Sequence, residues 1–458
     1  MDRHFIDAIK SHNRGFAALA CFALAFILSV PDCVVAAADP EQLKPPHIVV
    51  LLADDLGYND VGFNGSREIK TPELDKLARD AVVLKSMYVQ PVCSPTRAAF
   101  LSGRYPIRYG LQTGIVSPAD EFGLDLKETT IAQELKGLGY RTAICGKWHV
   151  GWVTRDYWPM ARGFDLQYGM IKAGYIDYFT HVRPRTGRDW YRQEKPLLEE
   201  GYATDLIANE AARVITQHDL EKPLFLYVAF NAPHSPFQPP RNAATVSYKD
   251  LPERRKPFAE MVTSMDAGIG RIAKALAARD MLDNTLLVFS SDNGGVAPGK
   301  RADNTPLRAG KGSLYEGGVR ACAFARWPKM FPAGVNNHPM HVTDWYPTFI
   351  EAAGGAAKKQ NLDGVSLISS LSGKTTNPPR ESVLLNTNPK KSALRVGKWK
   401  MIVNHRSNGS DTSELYDLSA DIFESKNVID DHPEQAERLR RILKKYQQEA
   451  ATPLKGGR

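Results

Sequence analysis

The sequence predicts an α/β fold: a large, mainly parallel β-sheet sandwiched by helices, followed by a smaller C-terminal antiparallel sheet with one helix. Three observations predict it. Short apolar runs typical of buried strands alternate along the chain with segments of helical periodicity. Polar residues follow each of these runs directly. Beyond about residue 375 the apolar runs become short and strand-like, and one long helical segment closes the pattern.

The first third of the chain supplies two strands and three helices. His47–Ala53 is an uninterrupted apolar run, which is typical of a strand buried on both faces of a parallel sheet. Thr71 and Pro72 begin a helix, because threonine is a good N-cap and proline suits the first turn. The segment that begins at Cys93 predicts another helix, with Pro95 in its first turn and Ala98–Leu101 continuing it. Thr130–Leu135 predicts a further helix, and Tyr140–Cys145 predicts the next strand.

The middle of the chain continues the alternation of strands and helices. Leu224–Phe230 and Leu286–Phe289 predict two more buried strands. Between them, Phe258–Ala278 carries apolar residues at spacings of three and four, which predicts a long helix. Residues 167–200 are rich in aromatic residues, arginine and glycine without clear periodicity, and we expect loops and insertions above the sheet.

A change in local composition divides the chain into a catalytic domain, residues 39–375, and a C-terminal subdomain, residues 376–458. Paired glycines, lysines and prolines mark the boundary region between residues 354 and 379. The C-terminal part predicts three short strands and one helix, at Ser382–Leu385, Ala393–Val396, Trp399–Val403 and Pro433–Gln447.

The first 38 residues have the pattern of a secretory signal peptide. Basic residues precede the apolar stretch Phe16–Val30, and Ala36–Ala38 offers a small-residue cleavage site. The apolar stretch is shorter than the roughly 20 residues that a membrane span needs. We therefore expect a secreted or periplasmic protein with no membrane span after cleavage. An uncleaved membrane anchor is the alternative.

The charge and the cysteines restrict the function classes. The formal net charge is +8, which suits an anionic substrate, although a solvated basic surface gives the same figure. The sequence has no long run of like charges that would mark a nucleic-acid-binding tail. After signal cleavage three cysteines remain, Cys93, Cys145 and Cys322, and their scatter does not predict a disulfide framework.

Cys93 stands apart because it lies at a predicted helix start. Free backbone N–H groups and the positive end of the helix dipole collect there, and Arg97 lies about one turn further along. The segment therefore predicts an anion site that contains a reactive side chain. A buried cysteine before an ordinary helix is the alternative.

Polar residues at the strand ends predict a second part of the same site. In open α/β sheets, ligands bind outside the carboxyl ends of the strands. Carboxylate and amide oxygens are hard ligands that suit Ca²⁺ or Mg²⁺ better than zinc. Each acidic pair taken alone also fits a turn or a helix cap. The residues that this rule brings together are Asp54, Asp55, Lys147, His149, His234, Asp292 and Asn293.

The combined inventory matches transfer of a tetrahedral oxyanion such as sulfate or phosphate. A hard cation and fixed positive side chains, with Lys311 as a further candidate, would stabilise charge on the transferred group. A histidine would protonate the leaving oxygen. Each histidine, and Lys311, could instead be an ordinary loop residue.

Five blocks of the chain resemble the type I sulfatases, and the resemblance covers nearly the whole mature chain in order. It implies an alkaline-phosphatase-like fold. Two further blocks, Arg162–Asp165 with Tyr178–His181 and His341–Thr348, look closest to the N-acetylgalactosamine-4-sulfatase (arylsulfatase B) branch, which favours a sulfated sugar. The five family blocks are Cys93–Arg104, Gly146–Gly151, Ser291–Gly295, Gly310–Arg320 and Glu414–Leu418.

The resemblance implies a chemistry for the site. A separate formylglycine-generating enzyme would oxidise Cys93 to Cα-formylglycine, whose hydrated aldehyde is the nucleophile. One hydroxyl attacks sulfur and the alcohol leaves; the second hydroxyl then eliminates sulfate. By the same resemblance, His234 is the candidate general acid, Arg97 and His149 hold or deprotonate the formylglycine, Lys147 and Lys311 bind sulfate, and one Ca²⁺ is bound by Asp54, Asp55, Asp292, Asn293 and residue 93.

Three other functions remain open from the sequence. The same site could prefer phosphate or phosphonate esters. An unmodified chain could be a carbohydrate-binding pseudoenzyme. A thiol hydrolase could use Cys93 with His149 or His234, but it would leave the acidic cluster without a purpose.

Overall fold

A computed structural model of the chain describes residues 44–172, 174–241, 248–297, 301–358 and 361–455. The proposed signal peptide, residues 1–38, lies outside the described residues. The helices are α1 Pro72–Arg79, α2 Cys93–Ser102, α3 Ile131–Gly137, α4 Ala203–Thr216, α5 Lys256–Ala278, α6 Glu316–Val319, α7 Trp345–Ala352, α8 Ile368–Leu371 and α9 Pro433–Gln448.

Nineteen strands form four sheets in the described part of the chain. The strands are, in chain order, β1 His47–Ala53, β2 Val82–Leu84, β3 Met87–Tyr88, β4 Arg141–Gly146, β5 Leu166–Gly169, β6 Val182–Arg183, β7 Gly187–Arg188, β8 Tyr191–Arg192, β9 Lys195–Pro196, β10 Leu224–Ala229, β11 Thr285–Ser291, β12 Arg320–Ala321, β13 Ala323–Arg326, β14 Gly334–Asn336, β15 Met340–His341, β16 Ser382–Thr387, β17 Lys391–Val396, β18 Trp399–Asn404 and β19 Thr412–Asp417.

Ten strands form the main sheet, in the order β14-β2-β13-β11-β1-β10-β4-β5-β8-β9. The five central strands, from β11 to β5, are all parallel to one another. Antiparallel pairs flank them on both sides. Four of these five strands, β11, β1, β10 and β4, are the apolar runs of the sequence, because strands covered on both faces need apolar residues at consecutive positions.

Helices cover both faces of this sheet, and β1 shows how. Ile48, Val50 and Leu52 face a core built with α2, α3 and α7. The alternate residues of β1 face a second core built with α1, α4 and α5. The predicted fold class is confirmed.

The C-terminal sheet consists of β16 to β19 in sequential antiparallel order. One face packs on α9 through Ala436, Leu439 and Leu443. The other face packs on the larger part of the molecule, including Tyr88 and Val319. The three predicted strands and the helix are present; the position of the domain boundary stays a prediction.

The expectation for residues 167–200 is wrong in part. Strands β5, β8 and β9 do not lie above the sheet as loops; they extend its edge beyond β4. Strands β6 and β7 form a separate hairpin. These strands are two to four residues long, which is too short for a period-two pattern to appear in the sequence.

Within the described residues, no helix combines the length and apolar character that crossing a membrane requires.

Candidate active site

Three parallel strands deliver charged residues to one edge of the main sheet. Asp54 directly follows β1, Lys147 follows β4 and Asp292 follows β11. Their backbones continue the sheet pairing: the Lys147 N–H donates to the Ala229 carbonyl at 2.7 Å, and the Asp292 N–H donates to the Ala53 carbonyl at 3.0 Å. All three side chains are fully buried. The sheet therefore fixes their positions.

Helix α2 brings Cys93 and Arg97 to the same edge. Cys93 is the first residue of α2, which confirms that it lies at a helix start, and the preceding residue is extended. One turn along, Arg97 donates to Asp292 Oδ2 from Nε at 3.0 Å and from Nη2 at 2.7 Å. Its Nη1 donates to the Lys147 carbonyl at 3.0 Å. These bonds tie the helix start to the ends of β4 and β11.

Carboxylates and cations are paired in this cluster, in which Lys311 is the one partly exposed member of the three pairs described next. Lys147 Nζ lies 2.5 Å from Asp54 Oδ2, and Lys311 Nζ lies 2.6 Å from Asp55 Oδ1. With Arg97 on Asp292, three carboxylates face three cations. A divalent cation added to such a neutral set would leave it positive, and the site would then favour an anion.

Burial and these pairs set the protonation of the carboxylates. Burial opposes ionisation of Asp54, but Lys147, His234 and Arg97 together lower its pKa. The pKa of Asp292 is raised, by burial and then by the neighbouring Asp54.

The donor set fits a hard divalent cation. Asp54 Oδ1 and Asn293 Oδ1 are buried, and neither has a hydrogen-bond partner among the described residues. A buried oxygen without a partner is costly, and a cation would satisfy both atoms. Asp55 accepts a 2.7 Å hydrogen bond from Asn293 Nδ2, so the two side chains are in contact.

The acidic cluster differs in detail from the predicted ligand set. Asp54, Asp55 and His234 place ligand atoms within 4.8 Å of one another, and His234 Nε2 lies 3.5 Å from Asp55 Oδ2. Asp292, a predicted ligand, has Oδ2 occupied by Arg97. Its Oδ1 accepts only a long bond, 3.3 Å, from the Asp55 N–H. Asp292 therefore retains an oxygen that faces Asp55.

His149 and Cys93 are both buried and both neutral. Neither ring nitrogen of His149 has a hydrogen-bond partner among the described residues, and its φ of 61° is left-handed. Burial, reinforced by Lys147, holds the pKa of His149 well below its usual value. Burial also raises the pKa of the Cys93 thiol, despite the opposing effect of Lys147. The environment therefore disfavours the thiolate that a thiol hydrolase would need.

The structure brings the predicted site residues into one cluster. It also places beside them residues 174–183, here called the wall, whose position the sequence did not indicate. Tyr175 lies nearly parallel to His234, with ring centroids 6.2 Å apart. A β-carbon on Gly174 would lie 2.9 Å from His149 Cε1. No periodicity marked this stretch, because it is irregular chain whose position depends on distant contacts. The hydroxyl of Tyr178, for example, donates to the carbonyls of Asn231 and His234.

Comparison with known families gives two matches. The sulfatase family profile matches residues 46–356. The profile of the N-sulphoglucosamine sulphohydrolase C-terminal region matches residues 310–451.

Three curated relatives illustrate the similarity. Mouse arylsulfatase J is 38% identical over 363 residues, which is 77% of this chain and 60% of arylsulfatase J. Human arylsulfatase A is 32% identical over 432 residues, with 84% of each chain covered. Dog N-acetylgalactosamine-6-sulfatase is 34% identical over 361 residues, which is 73% of this chain and 68% of that protein. These relatives do not test the predicted 4-sulfatase branch, which stays a prediction.

Two solved structures share the fold and are at least 25% identical to this chain in sequence. Ps i-CgsB in complex with k-i-k-neocarrahexaose has a TM-score of 0.81 and 32% identity, over 90% of this chain and 94% of that one. The PsFucS1 sulfatase from Pseudoalteromonas sp. has a TM-score of 0.75 and 25% identity, over 90% of this chain and 92% of that one.

Proposed function

The chain belongs to the sulfatase family of sulfuric ester hydrolases, and from this premise we propose that it removes sulfate from a sulfated sugar or polysaccharide. One observation carries the proposal. Three buried or nearly buried cations, Arg97, Lys147 and Lys311, converge with the α2 N-terminus on an acidic cluster that has unpartnered oxygens. An anionic ester beside a hard divalent cation would satisfy both halves of this site.

We propose Cys93 as the precursor of the nucleophile. Its buried thiol is a poor thiolate, whereas an aldehyde at the same position, made by a separate formylglycine-generating enzyme, would supply a hydrate hydroxyl as nucleophile. The position at the start of α2 supports this assignment, because free N–H groups there stabilise negative charge.

The remaining residues would divide the work by position. Lys147 and Lys311 would bind sulfate oxygens, as their ammonium groups already lie among the acidic residues. His149 is buried, neutral and without a hydrogen-bond partner among the described residues, which suits the proposed role of a base for the hydrate at position 93. His234 is less buried than His149 and lies beside Asp55, which suits a general acid for the departing oxygen.

We propose that the metal site binds Ca²⁺. Asp54, Asp55, Asp292 and Asn293, with residue 93, would hold one ion. This ion would supply positive charge to the transferred group. The unpartnered oxygens of Asp54 and Asn293 support the assignment. We also propose that the chain acts outside the cytoplasm after loss of its N-terminal signal.

A pair of substrates with the same leaving group tests the function. The expected result is turnover of an aryl sulfate well above that of the matching aryl phosphate, and loss of both on Cys93→Ala. Higher turnover of the phosphate would move the activity to the phosphate or phosphonate class. Unchanged turnover in Cys93→Ala would exclude position 93 as the nucleophile. The matched control is Cys322→Ala. Cys322 is also a buried cysteine, but it belongs neither to the strand ends nor to the helix start that form the site.

A further inference from the structure

The wall beside the two histidines is formed by residues 174–183. Gly174 faces His149 closely, and the Tyr175 ring lies nearly parallel to that of His234. The Tyr178 hydroxyl shares its one proton between the carbonyl oxygens of Asn231, at 2.6 Å, and His234, at 2.8 Å, and so fixes the wall to the chain around His234. The wall therefore adjoins the point where the alcohol part of the ester would leave.

Arg183 stands on this wall with unused hydrogen-bonding capacity. Its guanidinium carbon lies 4.8 Å from the centroid of the Tyr175 ring. Its Nη1 is buried and has no hydrogen-bond partner among the described residues. The described residues also give Arg183 no carboxylate partner within ion-pair distance. A guanidinium nitrogen without a partner is costly when buried, so an acceptor from a ligand would be stabilising at this position.

The surrounding hairpin is basic in sequence. Between Tyr175 and Arg188 there are three arginines, and Asp177 is the one acidic residue. The Asp177 carboxylate is already occupied, because Oδ2 accepts from Gln238 Nε2 at 2.6 Å and Oδ1 accepts from the Thr180 N–H at 2.8 Å. Arg185, at the turn of the hairpin, is exposed. Arg185 of the β6–β7 hairpin therefore presents its positive charge to solvent.

We propose that Arg183, stacked on Tyr175, binds a second anionic group of the substrate, on the sugar unit next to the one that loses sulfate. This inference rests on the proposed function and specifies its substrate: a saccharide with more than one negative charge. The second group is a sulfate ester or a carboxylate, since a guanidinium fork binds either one through paired N–H donors.

Three disaccharides that carry the same scissile sulfate test the proposal. The neighbouring unit is neutral in the first, sulfated in the second and a uronate in the third. The wild-type enzyme is expected to give a higher kcat/KM on the sulfated or the uronate substrate than on the neutral one. The substrate with the higher value identifies the second anionic group as a sulfate or a carboxylate. Arg183→Gln should reduce that preference about 10- to 100-fold, as expected for loss of a charge-assisted hydrogen bond. Arg183→Lys should restore part of it.

The control is Arg441→Gln, which removes the same charge from the exposed face of α9 and should leave the preference unchanged. Equal kcat/KM on all three disaccharides, or a preference that survives Arg183→Gln, would overturn the inference. An aryl sulfate without a second charge reports the proposed function separately. Turnover of the aryl sulfate together with equal kcat/KM on the three disaccharides would contradict only the inference. Absence of aryl sulfate turnover would contradict the proposed function.

Discussion

Single residues in this site are held by contacts that leave little room for change. The clearest case is His149, which is fully enclosed and has no hydrogen-bond partner among the described residues. Its ring position is therefore set by packing, and Gly174 is the residue that approaches it. A β-carbon at 174 would lie 2.9 Å from Cε1 and 3.0 Å from Nε2.

Gly174→Ala should therefore displace the His149 ring and lower kcat on an aryl sulfate by about 10- to 100-fold, since a shift on the order of 1 Å in a site has effects of this size. The free energy of unfolding should change little in comparison, because the new methyl group meets the end of a side chain. Gly114→Ala is the matched control, because a β-carbon there meets no atom within 4 Å. Wild-type kcat in Gly174→Ala would mean that His149 need not hold its present position.

Asn293 supplies an oxygen of the acidic cluster that is buried and has no hydrogen-bond partner among the described residues, and it gives a direct test of the metal site. Addition of Ca²⁺ to chelator-treated protein should raise the Tm, because a ligand that binds only the folded state stabilises it. In Asn293→Ala the Ca²⁺-dependent rise in Tm should shrink or disappear. An equal rise in the wild type and the variant would place the cation elsewhere. Measurement of the Tm without activity keeps this test independent of turnover.

Elements differ in how far the sequence predicted them, and their length and burial explain the difference. The sequence predicts strand β1 to the residue, because a strand covered on both faces needs a run of consecutive apolar residues, here Ile48–Ala53. Strands β8 and β9 were missed, because two-residue strands carry no pattern. The site residues at strand ends were predictable from the parallel topology, whereas the wall of Tyr175 and Arg183 depends on tertiary contacts of an irregular segment.

The contact between α1 and α5 shows how one buried carboxylate links two elements. Asp266 of α5 accepts hydrogen bonds from the backbone N–H groups of Glu73, at 3.1 Å, and Leu74, at 2.8 Å, in the first turn of α1. Burial raises the pKa of Asp266 from 3.8 to about 7, although these two hydrogen bonds oppose the shift.

This shift predicts a pH dependence with a definite sign. Because the folded state holds the proton more tightly, the contribution of Asp266 to stability is full below about pH 4 and is lost as the pH rises through about 7. The free energy of unfolding of the wild type minus that of Asp266→Asn should therefore fall over this interval, by at most about 1.4 kcal/mol per pH unit. Urea titrations across pH 4 to 8 measure it, with the exposed Asp80→Asn as control. A constant or rising difference would contradict the assignment.

At the scale of the whole molecule, a buried ionic cluster joins the C-terminal sheet to the larger part of the protein. Lys400 of β18 is fully buried, and its Nζ lies 2.9 Å from Glu316 Oε1 and 2.8 Å from Glu424 Oε1. Glu424 also accepts the Glu316 N–H at 2.6 Å, at the start of α6. The same stretch of chain carries Lys311 a few residues earlier, so the C-terminal sheet supports a segment of the site.

Lys400→Met should destabilise the protein by about 3–5 kcal/mol, because it leaves two carboxylates buried without their shared cation. Lys398→Met, two residues earlier in the chain, is the control. Its side chain is 52% exposed and pairs with Asp417, so its loss should cost no more than about 1 kcal/mol. Chemical denaturation gives both values. Equal effects of the two substitutions would show that the cluster does not join the two parts.

We propose that the nucleophile of this sulfatase is a hydroxyl of the hydrated aldehyde formed from Cys93. The most direct measurement is the fraction of aldehyde at position 93, determined by peptide mass spectrometry, in preparations that differ in maturation, together with the aryl sulfate turnover of each preparation. Turnover is expected to rise in proportion to the aldehyde fraction and to vanish when the peptide contains only cysteine. Full turnover in a preparation whose position 93 is unmodified cysteine would contradict the claim.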